Sequence, residues 1–506
     1  MSGSFRALLR PAQRAPSRIQ CYSPGYSIAR RNIQQSIPGR AAQESEHGPG
    51  ELNDTPIRKI PVAHDDPVQK QNQEKTSPRS FSFRRRPVPE LEGDTPEGIT
   101  LQQTTLRVEL AGKEGQKIQR GVDYATLRDA CSCERCVDPH SKQRSFRTSD
   151  IPLTITPRSV KWDGEQLEIK WRNDITGYDE SHTSTYSAEF LRSPASYSVG
   201  NATASRHRIF WERERMQRDQ HWISFDDYVN DDAKFATAMR RLAQFGLIFV
   251  KDIPDSREMV ERIATRMGPL RNSFYGLTWD VRTVPQAKNV AYTNQFLGFH
   301  MDLMYMKDPP GFQLLHCLKN SCDGGESLFS DAFAAASRLH KKNERAAQLL
   351  QQFRLNYEYV HQDQIYHNSW PVIETAEPGA SSPRHYRHIN YSPPFQGPFR
   401  PEGSTGLWSK NFREFRKALA AFTKELEDEQ AIFELKLNPG ECVIFENRRV
   451  VHARRSFNTA TGERWLAGAY VDEDAVLSRF RVCKATQPDA WNYDQTRADD
   501  EIDNLS

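Results

Sequence analysis

From Asn289 onward, short apolar strands alternate with Gly- and Pro-rich turns. Helical stretches interrupt them near 331–355 and 410–429. Together these patterns predict a mainly β fold with α insertions, a double-stranded β-helix of the jelly-roll or cupin type. A small β-rich domain is expected ahead of it. There Thr105-Leu106-Arg107-Val108-Glu109-Leu110 alternates like a strand. Ser159–Trp162 and Leu167–Trp171 read as a hairpin turning at Asp163-Gly164.

The elements follow in order. Residues 1–43 hold seven Arg, six Ser and no Asp or Glu, as a mitochondrial transit peptide does. Phe5, Leu8, Leu9 and Ile19 supply an apolar face, and the alternative is a basic tail with no address. Residues 44–100 are rich in Pro, Glu, Gln, Ser and Asp and read as a disordered linker. Hydrophobic content of 37% and a mean hydropathy of −0.75 agree with a long unfolded portion. The β-rich domain is expected over 101–200, with order beginning near Thr104. Residues 205–235 look like a charged connector with helical turns. Asp232–Phe245 reads as an amphipathic helix closed by Gly246, and Leu247–Val250 as a buried strand. Ser256–Met267 suggests another helix with Ser256 as its cap. The large β domain is expected over 215–490, with late strands at Val443–Phe445 and Leu466–Val471 flanking His452.

Composition excludes some functions. A net charge of +3 gives no argument for nucleic acid. No apolar run approaches 18 residues, so no membrane span is expected. Three of the eight cysteines fall within six positions, which fits metal binding in a reducing compartment better than disulfides. Cys131, Cys133 and Cys136 give three thiolates, and zinc needs a fourth ligand. His182 can be returned to the loop by the hairpin, and His140 is the local rival. A closed tetrahedral site of this kind is structural.

His300-Met301-Asp302, followed by His452, has the makings of a two-histidine, one-carboxylate iron site. Residues i and i+2 of a strand point to one side, which suits His-x-Asp. The pattern alone is weak, since His64-Asp65-Asp66 and His361-Gln362-Asp363 repeat it. Only the His300 pair has strands on both sides and a later histidine. Arg464, twelve residues after His452, is expected on the next strand. Its guanidinium can hold the far carboxylate of 2-oxoglutarate as a two-pronged ion pair.

Several longer runs carry a resemblance. They are Leu127-Arg128-Asp129-Ala130-Cys131-Ser132-Cys133-Glu134-Arg135-Cys136, Phe274–Trp279, Asn289–Thr293, Asn447–Ser456 and Arg464–Tyr470. Over about residues 104–485 the chain resembles the γ-butyrobetaine dioxygenase and trimethyllysine dioxygenase family of Fe(II)/2-oxoglutarate oxygenases. The resemblance implies iron ligands at His300, Asp302 and His452, and a co-substrate arginine at Arg464. Ser327, in Gly324-Gly325-Glu326-Ser327, resembles a hydroxyl that supports 2-oxoglutarate. The implied cofactors are Fe(II), 2-oxoglutarate, ascorbate and a structural zinc, with O2 as a substrate. A homodimer is implied by the resemblance alone. Tyr275, Trp279, Tyr292 and Tyr470 match the family's aromatic cage for a trimethylammonium group, which only ring faces can hold. Tyr275 and Trp279 are four apart, so one helical turn would align them. The alternative is that all four are ordinary core aromatics.

Asn289 resembles the γ-butyrobetaine branch, where an amide faces the substrate carboxylate. Ser392 departs from it, standing where that branch has a second Asn. The expected reaction is hydroxylation of γ-butyrobetaine to L-carnitine, with trimethyllysine or another betaine-type substrate as the alternative. The expected compartment is the mitochondrial matrix, with the cytoplasm as the alternative. Two rivals from other classes are a non-catalytic cupin-like metal-binding protein and a cupin isomerase or sugar-binding protein. Neither needs Arg464.

Overall fold

The protein is described here as a computed structural model, covering residues 87–112, 116–192, 206–282, 293–361, 363–376, 386–399 and 406–491. The expected transit peptide and most of the linker lie outside the described residues. The chain packs earlier than Thr104. Glu92 N–H donates to the Arg158 carbonyl, and Ile99–Leu101 is already a strand with Ile99 buried.

Two antiparallel three-stranded sheets make the amino-terminal part. One orders Ile99–Leu101, Thr105–Ala111 and Lys117–Asp123. The other orders Thr156–Trp162, Gln166–Arg172 and Thr183–Ser187. The expected hairpin is present, and Gly164 at its turn takes φ +97°. Leu106, Val108, Leu167 and Ile169 alternate inward to one core.

The larger part is a sandwich of two sheets. The four-stranded sheet orders Leu297–His300, Val450–Arg454, Ser327–Asp331 and Phe433–Leu435. The six-stranded sheet orders Trp222–Ser224, Leu247–Lys251, Cys442–Glu446, Phe312–Asn320, Arg464–Val471 and Thr278–Arg282. Phe329 of the first meets Phe445 of the second edge-on, with ring centroids 5.7 Å apart. Alternation sorts the strand Arg464–Val471. Ala467, Ala469 and Val471 face the helical layer of Met239, Leu242, Ile263 and Met267. Arg464, Leu466 and Tyr470 face the interior between the sheets.

The helix Asp232–Phe245 has the expected bounds, because both ends are written in the sequence. The Asp231 carboxylate accepts from the Lys234 N–H, and Gly246 takes a left-handed φ of +69°. The helix expected from Ser256 begins at Met259 instead. The Ser256 hydroxyl accepts from the Glu258 N–H within a turn, so it caps nothing. The expected connector over 205–235 hides a strand, Trp222–Ser224, which joins the sheet edge in parallel. Three residues are too few to show a period. The predicted helical insertions appear as Ala332–Lys342, Glu344–Gln352 and Gly406–Leu426.

Candidate active site

His300 ends its strand, and directly opposite it on the neighbouring strand is His452. Asp302 lies just past the strand end. The Nε2 atoms of His300 and His452 sit 3.4 Å and 4.0 Å from Asp302 Oδ1, and the three potential ligand atoms fall within 4.8 Å of one another. The Gly298 carbonyl accepts from His300 Nδ1 at 2.8 Å, which turns Nε2 toward the other two groups. His452 is held down to about 3, by burial first and by His300 second. It is neutral and has no proton to lose before binding a metal. Burial acts to raise Asp302, but hydrogen bonding to His300 and the nearby imidazoles bring it to about 2. Two imidazoles and one carboxylate thus converge, the donor set of a mononuclear non-haem iron site.

These groups open into one cavity that is partly open to solvent. Its walls include Tyr275, Trp279, Tyr305, Phe395 and Tyr470. Ser327 and Arg464 also line it, from opposite sheets. Arg464 opens the strand Arg464–Val471, which lies in the sheet facing that of His452. Burial lowers Arg464 to about 10, so it stays charged at neutral pH. Its Nε is buried with no hydrogen-bond partner, and among the described residues no carboxylate pairs with it. Gly325, at φ +78°, makes room, since a Cβ there would come 3.2 Å from Arg464 Cδ. A buried guanidinium facing a cavity suits an anionic ligand.

The expected aromatic residues divide. Asn289 and Tyr292 lie outside the described residues. Tyr275 and Trp279 are not on one helical turn. Trp279 is on the strand Thr278–Arg282, and Tyr275 precedes it in a turn at Gly276, φ +93°. Their ring centroids are 6.4 Å apart. Trp279 lies across Gly468 and stacks on Tyr470, centroids 4.0 Å apart. The Tyr470 hydroxyl donates to Asp302 Oδ2 at 2.6 Å. Burial and the Asp302 charge push Tyr470 well above its ordinary value, so it remains a donor. Ser392 is buried, with its hydroxyl unpartnered, and does not line the cavity.

Sequence reasoning missed Gln313, Tyr305 and Phe395, which also line the cavity. Gln313 had a signal, an amide within the apolar run Phe312–Leu315. The inward position is readable only once the strand's facing is known.

The cysteine cluster is separate. Cys131, Cys133, Cys136 and His182 place one ligand atom each within 4.8 Å of the others. His182 Nε2 is 3.3 Å from Cys136 Sγ and 3.6 Å from Cys131 Sγ. His140 lies in an exposed turn on Asp138 and takes no part. Asp174 accepts from His182 Nδ1 at 2.7 Å and orients the ring.

Fold and donor set define a non-haem oxygenase class, and comparison with known proteins narrows it. Residues 214–470 match the family described as taurine catabolism dioxygenase TauD, TfdA family. Residues 99–192 match the gamma-butyrobetaine hydroxylase-like amino-terminal family. Dioxygenase str8 of Strobilurus tenacellus is 32% identical over 385 residues, 72% of this chain and 86% of its own. Human gamma-butyrobetaine dioxygenase is 28% identical over 364 residues, 71% and 90% of the two chains. Human mitochondrial trimethyllysine dioxygenase is 28% identical over 365 residues, 71% and 82%. Among solved structures, a taurine dioxygenase from Burkholderia xenovorans aligns at TM-score 0.37 and 12% identity, over 52% of this chain and 90% of that one. The chain belongs to the TauD/TfdA family. It is a 2-oxoglutarate-dependent dioxygenase of the γ-butyrobetaine and trimethyllysine dioxygenase kind.

Proposed function

We propose that His300, Asp302 and His452 hold Fe(II), that Arg464 with Ser327 anchors 2-oxoglutarate, and that the enzyme hydroxylates a trimethylammonium substrate. γ-Butyrobetaine, giving L-carnitine, is the first candidate. The observation that carries the reading is the joint one. A converging His-Asp-His set and an arginine without a carboxylate partner among the described residues share one aromatic-walled cavity. The non-catalytic and sugar-binding rivals leave that arginine unexplained. Bound there, iron with 2-oxoglutarate and O2 would supply the oxidation of an unactivated carbon, one oxygen atom going to the product hydroxyl and the other to succinate, with CO2 released. The chain's own groups position and shield. Tyr470 and Gly298 fix the ligands, the aromatic walls exclude water, and no general base is needed.

For the substrate, Tyr275, Trp279 and Tyr470 offer electron-rich faces. Because Trp279 and Tyr470 stack on each other, they act as one wall with Tyr275 as another. The relatives named above include both γ-butyrobetaine and trimethyllysine dioxygenases at the same 28% identity, so trimethyllysine stays as the second candidate. Zinc at Cys131, Cys133, Cys136 and His182 is assigned a structural role. The basic segment 1–43 is read as an address to the mitochondrial matrix, with a cytoplasmic enzyme as the alternative that fractionation of a tagged chain separates.

Purified protein with Fe(II), ascorbate and 2-oxoglutarate should release succinate in step with γ-butyrobetaine consumption. His300→Ala and Asp302→Ala should abolish it, and full turnover by either removes the iron assignment. Trp279→Ala should raise the KM for the trimethylammonium substrate roughly 30-fold, since a desolvated cation–π contact is worth about 2 kcal/mol. A neutral tert-butyl analogue turning over equally well would remove the quaternary-ammonium assignment and leave the oxygenase standing.

A further inference from the structure

The turn joining Cys442–Glu446 to Val450–Arg454 is built of polar residues that are all buried. Glu446, Asn447, Arg448 and Arg449 are 3%, 0%, 8% and 0% exposed. Buried polar groups need partners, and each of these four reaches a different segment. Glu446 accepts from Arg206 and Arg208. Arg448 donates to Asn390 and Glu374. Arg449 donates to Asp331 and to the Gln244 and Ile209 carbonyls.

Asn447 is the one that reaches the candidate metal site. Its Oδ1 accepts from the Asp302 N–H at 2.8 Å, and its Nδ2 donates to the Asp302 carbonyl at 3.0 Å. The same Nδ2 donates to the Pro310 carbonyl at 3.0 Å, while the Asn447 N–H donates to Gly311. One residue thus closes the whole segment 302–311. That segment needs holding. Asp302 lies beyond the end of its strand, and Leu303 after it takes φ +59°, a left-handed conformation unusual for a bulky side chain. On the other side, Met301 N–H is fixed by the Tyr391 carbonyl.

We propose that Asn447 is a positioning residue for the metal centre. It fixes the Asp302 backbone from both its N–H and its C=O, while Tyr470 fixes the second carboxylate oxygen, so that Oδ1 is presented to the metal without reorganisation. This rests on reading His300, Asp302 and His452 as ligands. Arg448 shares the turn but touches neither Asp302 nor the cavity, which makes it the control.

The test titrates metal-stripped, full-length protein with Mn(II), reading free Mn(II) by electron paramagnetic resonance, with thermal midpoints measured alongside. Asn447→Ala should weaken Mn(II) binding about 10- to 100-fold, the usual cost of removing a group that orients a ligand. Asn447→Asp keeps the acceptor for the Asp302 N–H but turns an oxygen toward two carbonyls, and should weaken binding likewise. Arg448→Lys should lower the midpoint and leave Mn(II) affinity unchanged. In an Asp302→Ala background the Asn447 substitutions should cost nothing further, because the coupling runs through Asp302. Unchanged Mn(II) affinity in the Asn447 variants, or a loss that persists without Asp302, overturns the proposal. If Asp302→Ala itself binds Mn(II) as tightly as the parent, the metal assignment fails first and takes the clamp with it.

Discussion

Gly468 decides where the aromatic wall stands. It pairs with Trp279 across two strands, and a Cβ on it would come 2.4 Å from the indole. Gly468→Ala must therefore push Trp279 off Tyr470. The expected result is a loss of about 1–3 kcal/mol in urea unfolding. A raised substrate KM with an unchanged 2-oxoglutarate KM should accompany it. Equal changes in both would mean the ring has no specific part in substrate binding. Arg464 acts through shape as well as charge. Arg464→Lys keeps the positive charge and loses the flat fork, so the KM for 2-oxoglutarate should rise about tenfold or more while thermal stability barely changes. A KM that stays put would show that a point charge suffices.

At the level of elements, the helix Ala332–Lys342 is tied to the sheet by its cap. The Asp331 carboxylate accepts from the Phe333 and Ala334 N–H groups and pairs with Arg449, both side chains being fully buried. Asp331→Ala removes a cap and strands a buried guanidinium. The cost should be about 3–5 kcal/mol by urea denaturation, and a loss below about 1 kcal/mol would show that the pair is not a real anchor. The cysteine loop is the other dependent element. Cys133→Ser should lower the melting temperature and release about one zinc per chain while the KM for 2-oxoglutarate holds, because closed thiolate sites contribute folding energy rather than chemistry. Metal analysis finding no zinc in the parent protein would reduce the cluster to three thiols and a histidine.

Distant segments of the larger part are tied together by a largely buried ionic network. Glu374 meets His388, Arg448 and Asn390, and Glu473 meets His388 and Arg206. Burial works to raise Glu374, yet the His388 hydrogen bond and the Arg448 charge hold it at about 2, below its ordinary 4.5. A depressed carboxylate binds fewer protons folded than unfolded. Its stabilisation is full above about pH 4.5 and disappears as pH falls through about 2. Glu473 and Glu446 are depressed in the same direction. The gap in urea midpoint between the parent and Glu374→Gln should accordingly shrink between pH 4.5 and 2, and a constant gap would exclude Glu374 from acid unfolding.

The sequence by itself determined the pieces whose signals are local. The Asp232–Phe245 helix is bounded by Asp231 and Gly246, the hairpin turns at Asp163-Gly164, and Cys-x-Cys-x-x-Cys needs only a few residues to be recognised. His-x-Asp, the later histidine and Arg464 were also readable, since metal and anion chemistry admit few residue types. Only the tertiary structure decided what depends on distant segments meeting. It brought His182 rather than His140 to the cysteines, and Arg464 in from the facing sheet. It turned the Tyr470 hydroxyl onto Asp302 and set Asn447 beneath the same residue. These contacts join positions from 46 to 168 residues apart, as in His182 with Cys136 and Tyr470 with Asp302. No period or spacing encodes them, because strand pairing and facing between two sheets are fixed by the packing of the whole core.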